Sequence, residues 1–187
     1  MNEAVLDFQK IHDEFRPKIH RYLIHMVGEY EAEDLTQEVF ARIYRALTSF
    51  KGQAKLSTWI YRIATNAALD RLRDPAFKFV IQNGLAKSTG SGEPEIKDQD
   101  IWTGEEKLSL EQQLFRKQRL KCYCDFIKRL PPNYRTVVAL SELGELAANE
   151  IADILGLDPG VVKIRLHRGR VRLLQELKAH CRPEDWL

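Results

Sequence analysis

The sequence predicts an all-α protein: two small helical domains joined by a flexible linker, the second containing a helix-turn-helix. Three observations carry this. Apolar residues recur every three or four positions through most of the chain, the spacing that lines one side of a helix. No stretch alternates apolar and polar residues as a half-buried strand does. Residues 76–107 break the period with Ser88-Thr89-Gly90-Ser91-Gly92 and then Pro94, as a linker does. The 187 residues suffice for one ordinary domain or two small ones, set here at 1–75 and 108–181 with a tail at 182–187.

The first helix is expected over residues 3–26, where Phe8, Ile11, Phe15, Ile19, Leu23 and Met26 share a face. Pro17 is expected to break or restart it, since proline removes an N–H and crowds the preceding turn. After Gly28 comes the helix around which the first domain is organised, strongest over residues 33–47. Leu35, Val39, Ile43 and Leu47 form its inner stripe, widened by Phe40 and Tyr44. Asp34, Gln37, Glu38, Arg42 and Arg45 lie opposite. Glu29, Glu31, Glu33, Asp34 and Glu38 gather at its start with no Lys or Arg among them, which suits the positive end of a helix dipole. That polar face reads either as a solvated, well-capped helix or as a docking surface for a large basic partner.

A short loop, Phe50 to Leu56, bends at Gly52, and Ser57 is a candidate N-cap for a third helix ending before Asp74-Pro75. Its inner side comprises Trp59, Ile60, Ile63, Ala67 and Leu72. Lys51, Lys55, Arg62, Arg71 and Arg73 surround Trp59 and Tyr61 here, with Asp70 the one acid. Cations interleaved with aromatic rings form a stacking surface for unpaired bases. Trp59 fits the core equally well, and Asn66 either bonds a base or faces solvent.

Beyond the linker, Ser109 and Gln112 form a capping-box pattern opening a helix to about Leu130. Pro131-Pro132 ends it. Helices follow over 134–143, 150–155 and, after the turn Gly156-Leu157-Asp158, from Pro159 to about His180. Val162, Leu166, Gly169, Leu173 and Leu177 make the core stripe of this last helix, leaving Lys163, Ile164, His167, Arg168 and Val171 outside. Helix, glycine turn and basic helix are the parts of a helix-turn-helix, whose second helix enters the major groove. An arginine near its start can make a bidentate contact to guanine.

The net charge of +2 conceals segregation. Lys163, Arg165, Arg168, Arg170 and Arg172 have no acid among them, whereas residues 93–106 hold six acids against Lys97. Such asymmetry assigns different segments to different partners. No apolar run approaches the roughly 20 residues that span a bilayer, and the N-terminus lacks the pattern of a secretory signal, so a cytoplasmic protein without membrane insertion is expected. Three cysteines, Cys122, Cys124 and Cys181, do not make a disulfide framework. No phosphate loop, activated nucleophile or paired carboxylate stands out, which argues against an enzyme, and neither a cofactor nor a metal is expected.

Four segments taken together, DLTQEVFARIYRAL, STWIYRIATNAALDRLR, LPPNYRTVVALSEL and EIADILGL with GVVKIRLHRGRVRL, resemble bacterial RNA polymerase sigma factors of the extracytoplasmic-function (ECF) group. The likeness covers almost the whole chain apart from linker and tail. It implies a promoter-specificity subunit in which residues 1–75 dock on core RNA polymerase through Asp34, Leu35, Gln37, Glu38 and Phe40. Lys51, Lys55, Trp59, Tyr61, Arg62, Asn66 and Arg73 would bind and melt the −10 element. Lys163, Ile164, Arg165, His167, Arg168 and Arg170 would read the −35 element. The acidic linker would thread the RNA channel, and an anti-sigma factor would hold the otherwise monomeric protein inactive.

Two departures from the family pattern stand out. Ile164 replaces the usual serine, exchanging a hydroxyl for an apolar group suited to a thymine methyl. Leu146-Ala147-Ala148-Asn149 lacks the usual serine cap before the helix-turn-helix. The competing reading from the residues alone is a free-standing dimeric helix-turn-helix regulator; a weaker one is a redox- or metal-responsive protein using the cysteines.

Overall fold

The protein is described here from a computed structural model, which places residues 7–75, 77 and 125–180. The linker, most of the helix expected before Leu130, the three cysteines and the tail lie outside these residues. Among the described residues the main helices are α1 (Phe8–Val27), α2 (Glu29–Ala46), α3 (Leu56–Arg73), α4 (Pro132–Glu142), α5 (Ala148–Leu155) and α6 (Pro159–His180). A short helical stretch at 125–129 precedes α4, and no strand occurs among the described residues.

Helices α1, α2 and α3 pack together as one three-helix unit. Ile19 and Leu23 of α1, Leu35, Val39 and Ile43 of α2, and Ile60 and Ala64 of α3 are shut off from solvent. Each large aliphatic side chain buried this way contributes about 1.5–3 kcal/mol, so the unit holds together through its core rather than through helix propensity. Asp7 caps α1 by accepting from the Gln9 N–H at 3.0 Å. Contrary to the break expected at Pro17, α1 runs through it without interruption. Pro17 lies on the exposed side, where the Asp13 carbonyl deprived of a partner can bond water, while Phe15 and Ile19 on the inner side remain packed.

Gly28, at φ 93°, separates α1 from α2, a value L side chains avoid. The inner stripe of α2 holds at Leu35, Val39, Phe40 and Ile43, but Tyr44, expected to widen it, is 64% exposed. Tyr44 sits one position past Ile43, at the edge of the bundle, where its ring meets Phe8 edge-on at 5.0 Å. Helix α3 begins two residues earlier than expected, with Lys55 rather than Ser57 at the N-cap and no side-chain cap.

Helices α4, α5 and α6 form the second unit. Val137 and Leu140 of α4, Ile151 of α5 and Val162, Leu166, Leu173 and Leu177 of α6 fill its core. Pro132 opens α4 in the first turn, where its missing N–H costs nothing. Arg135 donates through Nε and Nη2 to the Leu130 carbonyl at 3.2 and 3.1 Å, tying the preceding turn to α4. The α5 N-terminus manages without a hydroxyl: Glu150 reaches back to accept from the Ala147 N–H at 2.8 Å, half of a capping box. Gly156, left-handed at φ 63°, ends α5, and Asp158 starts α6 by accepting from the Gly160 N–H at 2.7 Å. The two units touch through α1 against α4 and α3 against α5.

Candidate nucleic-acid and partner interfaces

Helix α6 presents its outward face as the sequence spacing requires. Lys163, Ile164, His167 and Arg168 are exposed, and the core stripe, Gly169 included, is buried. A helix this basic gains its position from α5 and the Gly156 turn, which pins its N-terminal half at the surface. Not all its cations are free. Arg170 Nε and Nη2 bind Glu142 at 2.9 and 2.8 Å, and Nη2 also meets Ser141 at 3.0 Å. Arg172 lies over the Tyr134 ring at 4.9 Å. These two arginines fasten α6 to α4. Arg165 is half-buried and turned toward the first unit, lining a groove of about 260 Å³ with Met26, Leu69, Leu72 and Leu157. Lys163 and Arg168 form no ion pair among the described residues.

On α3, Lys55, Trp59, Arg62, Asn66 and Arg73 follow one another at helical spacing and share a stripe. Lys51, in the loop, and Asn66 are exposed. Trp59 is half-buried, its ring 5.0 Å from Phe50, so both readings of it survive in part. Arg73 pairs with Asp70 at 3.4 Å. Tyr61 does not belong to the stripe. It is 2% exposed, meets Tyr22 edge-on at 5.5 Å and donates its hydroxyl to the Leu143 carbonyl at 3.3 Å. Burial pushes its phenol well above the ordinary range. As placed, Tyr61 cannot stack on a base, because the second unit covers it.

The acidic start of α2 is quieter than its sequence suggests. Arg71 of α3 reaches Glu31 at 3.2 Å and Glu38 at 3.8 Å, Arg42 binds Glu38, and Arg16 of α1 binds Glu33. Cations from neighbouring helices, invisible to a local count, neutralise three of the five acids. Asp34 keeps an unpaired carboxylate among the described residues. Leu35 and Phe40 are 1% and 4% exposed, so their side chains lie beneath this face rather than on it. The outer stripe reads Tyr30, Asp34, Gln37, Ala41, Tyr44 and Arg45, all exposed. Tyr30, at 82% exposure, and Tyr44 were missed as surface residues. An aromatic one turn before Asp34 was the signal for Tyr30; for Tyr44 none existed, since its place one residue off the apolar stripe fits either side.

His20 Nδ1 lies 3.2 Å from Thr36 Oγ1, whereas His25 is buried with Nδ1 unpartnered. Burial, then the charges of Lys128 and Arg21, hold His25 down to about 4. No three metal-ligating side chains converge among the described residues, and no helix there is long and apolar enough to cross a membrane.

Comparison with known proteins agrees with the all-helical, two-unit fold. Residues 11–76 match Sigma-70 region 2 and residues 122–173 match Sigma-70, region 4. The chain is 36% identical to the ECF RNA polymerase sigma factor SigW of Bacillus subtilis (strain 168), over 91% of this chain and 89% of that protein. It is 31% identical to the ECF RNA polymerase sigma-E factor of Escherichia coli (strain K12), over 83% and 78% of the two. In fold it is similar to CnrH in complex with the cytosolic domain of CnrY (TM-score 0.61, 19% identity, 93% and 89% covered). It is also similar to RpoE in complex with the anti-sigma factor NepR from Bartonella quintana (TM-score 0.63, 20% identity, 94% and 99% covered). A region 2 match over the three-helix unit, a region 4 match over the helix-turn-helix, and 36% identity to SigW over 91% of the chain mean that this chain belongs to the ECF RNA polymerase sigma factors.

Proposed function

We propose that the chain binds core RNA polymerase through the exposed face of α2 and gives it two grips on promoter DNA. The loop 50–56 and α3 as far as Asn66 hold the opened −10 element, and the first half of α6 reads the −35 element. The observation that carries this is the pairing, in one chain, of a basic α3 stripe bearing Trp59 with an exposed basic helix mounted on a helix-turn-helix. Neither grip alone serves initiation. Bases must be unstacked at one site, at a cost of a few kcal/mol per flipped base, while the duplex is read in the major groove at the other.

On α2, Asp34 and Gln37 supply polar contacts and Tyr30 and Tyr44 supply the aromatic anchors that concentrate binding energy at interfaces. On α6, Lys163 and Arg168 are free to reach DNA, with Ile164 and His167 beside them. Arg170 and Arg172 serve the domain itself. The protein performs no chemistry, works in the cytoplasm with the polymerase, and divides as 1–75, 76–107 and 108–181. CnrH and RpoE were each solved bound to a partner, an anti-sigma factor in the second case, and the same class of inhibitor is proposed here.

Footprinting on a host promoter, with and without core polymerase, tests the reading. Protection of −10 and −35 segments only when polymerase is present is the expected result. Tight protection of a palindromic duplex by the protein alone would instead mark a free-standing regulator.

A further inference from the structure

The outward face of α6 carries one apolar residue more than the set assigned above to the −35 element. Ile164 and Val171 stand seven residues apart, which brings them to one line of the helix. They are 54% and 41% exposed. A single exposed apolar residue is ordinary. Here two β-branched residues repeat on the solvent side, where straight-chain residues suit a helix better. The cations beside them are disposed differently. Lys163 and Arg168, flanking Ile164, are exposed and form no ion pair among the described residues. Arg170 and Arg172, flanking Val171, are drawn back to α4: Arg170 binds Glu142 at 2.9 Å and Arg172 lies over the Tyr134 ring at 4.9 Å. The turn that carries Val171 therefore offers DNA a stiff apolar group, with both its cations engaged elsewhere.

We propose that Val171 is a further specificity-determining residue, and that Ile164 and Val171 together read two thymine methyl groups in the −35 element. This deepens the assignment of α6 to that element and rests on it. Valine and isoleucine carry no donor or acceptor, and the thymine methyl is the one base-edge group in the major groove that hydrocarbon satisfies. Any other base at either place leaves a polar edge facing an apolar side chain, which costs binding. Each side chain holds essentially one χ1 rotamer in a helix, so little freedom is lost on contact. Seven residues advance about 10.5 Å along a helix. With a rise of about 3.4 Å per base pair and the added turn of the duplex, that separates the two thymines by about two to three base pairs. Lys163 and Arg168 remain for the phosphates or a guanine alongside.

The test uses holoenzyme assembled with the full-length protein and host promoter duplexes in which each −35 thymine, on either strand, is replaced in turn by uracil. That exchange removes the methyl group and nothing else. Titration of binding is expected to find two sensitive positions, each weakened about fourfold, the worth of one buried methyl. Val171→Ala abolishes the sensitivity at one position and keeps it at the other; Ile164→Ala does the opposite. Leu174, 51% exposed on the same helix but off this line, supplies the control, and Leu174→Ala leaves both sensitivities in place. Fewer than two sensitive positions, or a second one that Val171→Ala leaves untouched, overturns the inference. So does Leu174→Ala acting as Val171→Ala does. Holoenzyme carrying Lys163→Ala with Arg168→Ala tests the underlying assignment on unmodified promoters. If that pair loses its dependence on the −35 segment while uracil goes unnoticed, the methyl reading alone has failed. If the pair binds as wild type does, α6 is not the −35 reader, and both fall.

Discussion

Gly169 of α6 packs directly on Val138 of α4: a Cβ at position 169 would stand 2.7 Å from Val138 Cγ2. Both residues are buried, so the methyl has no room to retreat. In an open helix, Gly→Ala gains roughly 1 kcal/mol. Here overpacking costs about 1–3 kcal/mol, and Gly169→Ala is expected to lower the stability of the second unit. Denaturant midpoints of the two proteins check this; a higher midpoint for the variant would contradict it.

Asp34 is the unpaired carboxylate at the head of α2, whereas Glu38 is held by Arg42 and Arg71. Asp34→Lys should weaken binding to core polymerase at least tenfold, given what a like charge does in an interface core, with thermal stability unchanged. Glu38→Ala should do the reverse, costing up to about 1 kcal/mol of stability with a smaller loss of affinity. Binding titrations alongside melting curves separate the two.

Ile164 is 54% exposed beside Lys163 and Arg168. If it meets a thymine methyl, uracil in place of thymine at one −35 position weakens wild-type holoenzyme and leaves Ile164→Ser indifferent. Arg168→Ala should relax preference at a guanine by about 1–3 kcal/mol. An equal loss on every sequence would make Arg168 a phosphate contact.

His25 stays neutral in the folded protein because burial disfavours its charge, and Lys128 and Arg21 add to that; it is held down to about 4 from 6.5. The unfolded chain therefore takes up a proton between those values that the folded chain refuses. Stability is full above about pH 6.5 and falls as pH drops toward 4, by at most about 1.4 kcal/mol per pH unit. His25→Gln should flatten that part of the profile. Glu150, whose carboxyl is held low first by the Ala147 N–H and then by Lys55, loses its contribution only at lower pH, and does so in both proteins. Parallel profiles would show that His25 is not the group involved.

The sequence made some of this legible and hid the rest for identifiable reasons. All five residues of the α6 stripe, Val162 to Leu177, are buried as expected, because a long helix against a single partner surface repeats one period many times. Tyr61 could not be read correctly from α3 alone, since what buries it is Gly144, 83 residues on. The pairing of Arg71 with Glu31 and Glu38 was hidden similarly, by distance along the chain. Pro17 misled because a local rule ignored the packing on the opposite side of α1. The recurring pattern is that faces were legible within a helix, and contacts between helices far apart in sequence were not.

The central claim is that this chain lends polymerase a choice of start site. Purified protein mixed with core polymerase and host promoter templates, with 5′ ends of the transcripts mapped, tests it most directly. The account predicts RNA starting at a fixed position downstream of the two contacted elements, lost when Asp34→Lys replaces the wild type. Transcripts with scattered ends, the same with and without the protein, would contradict it.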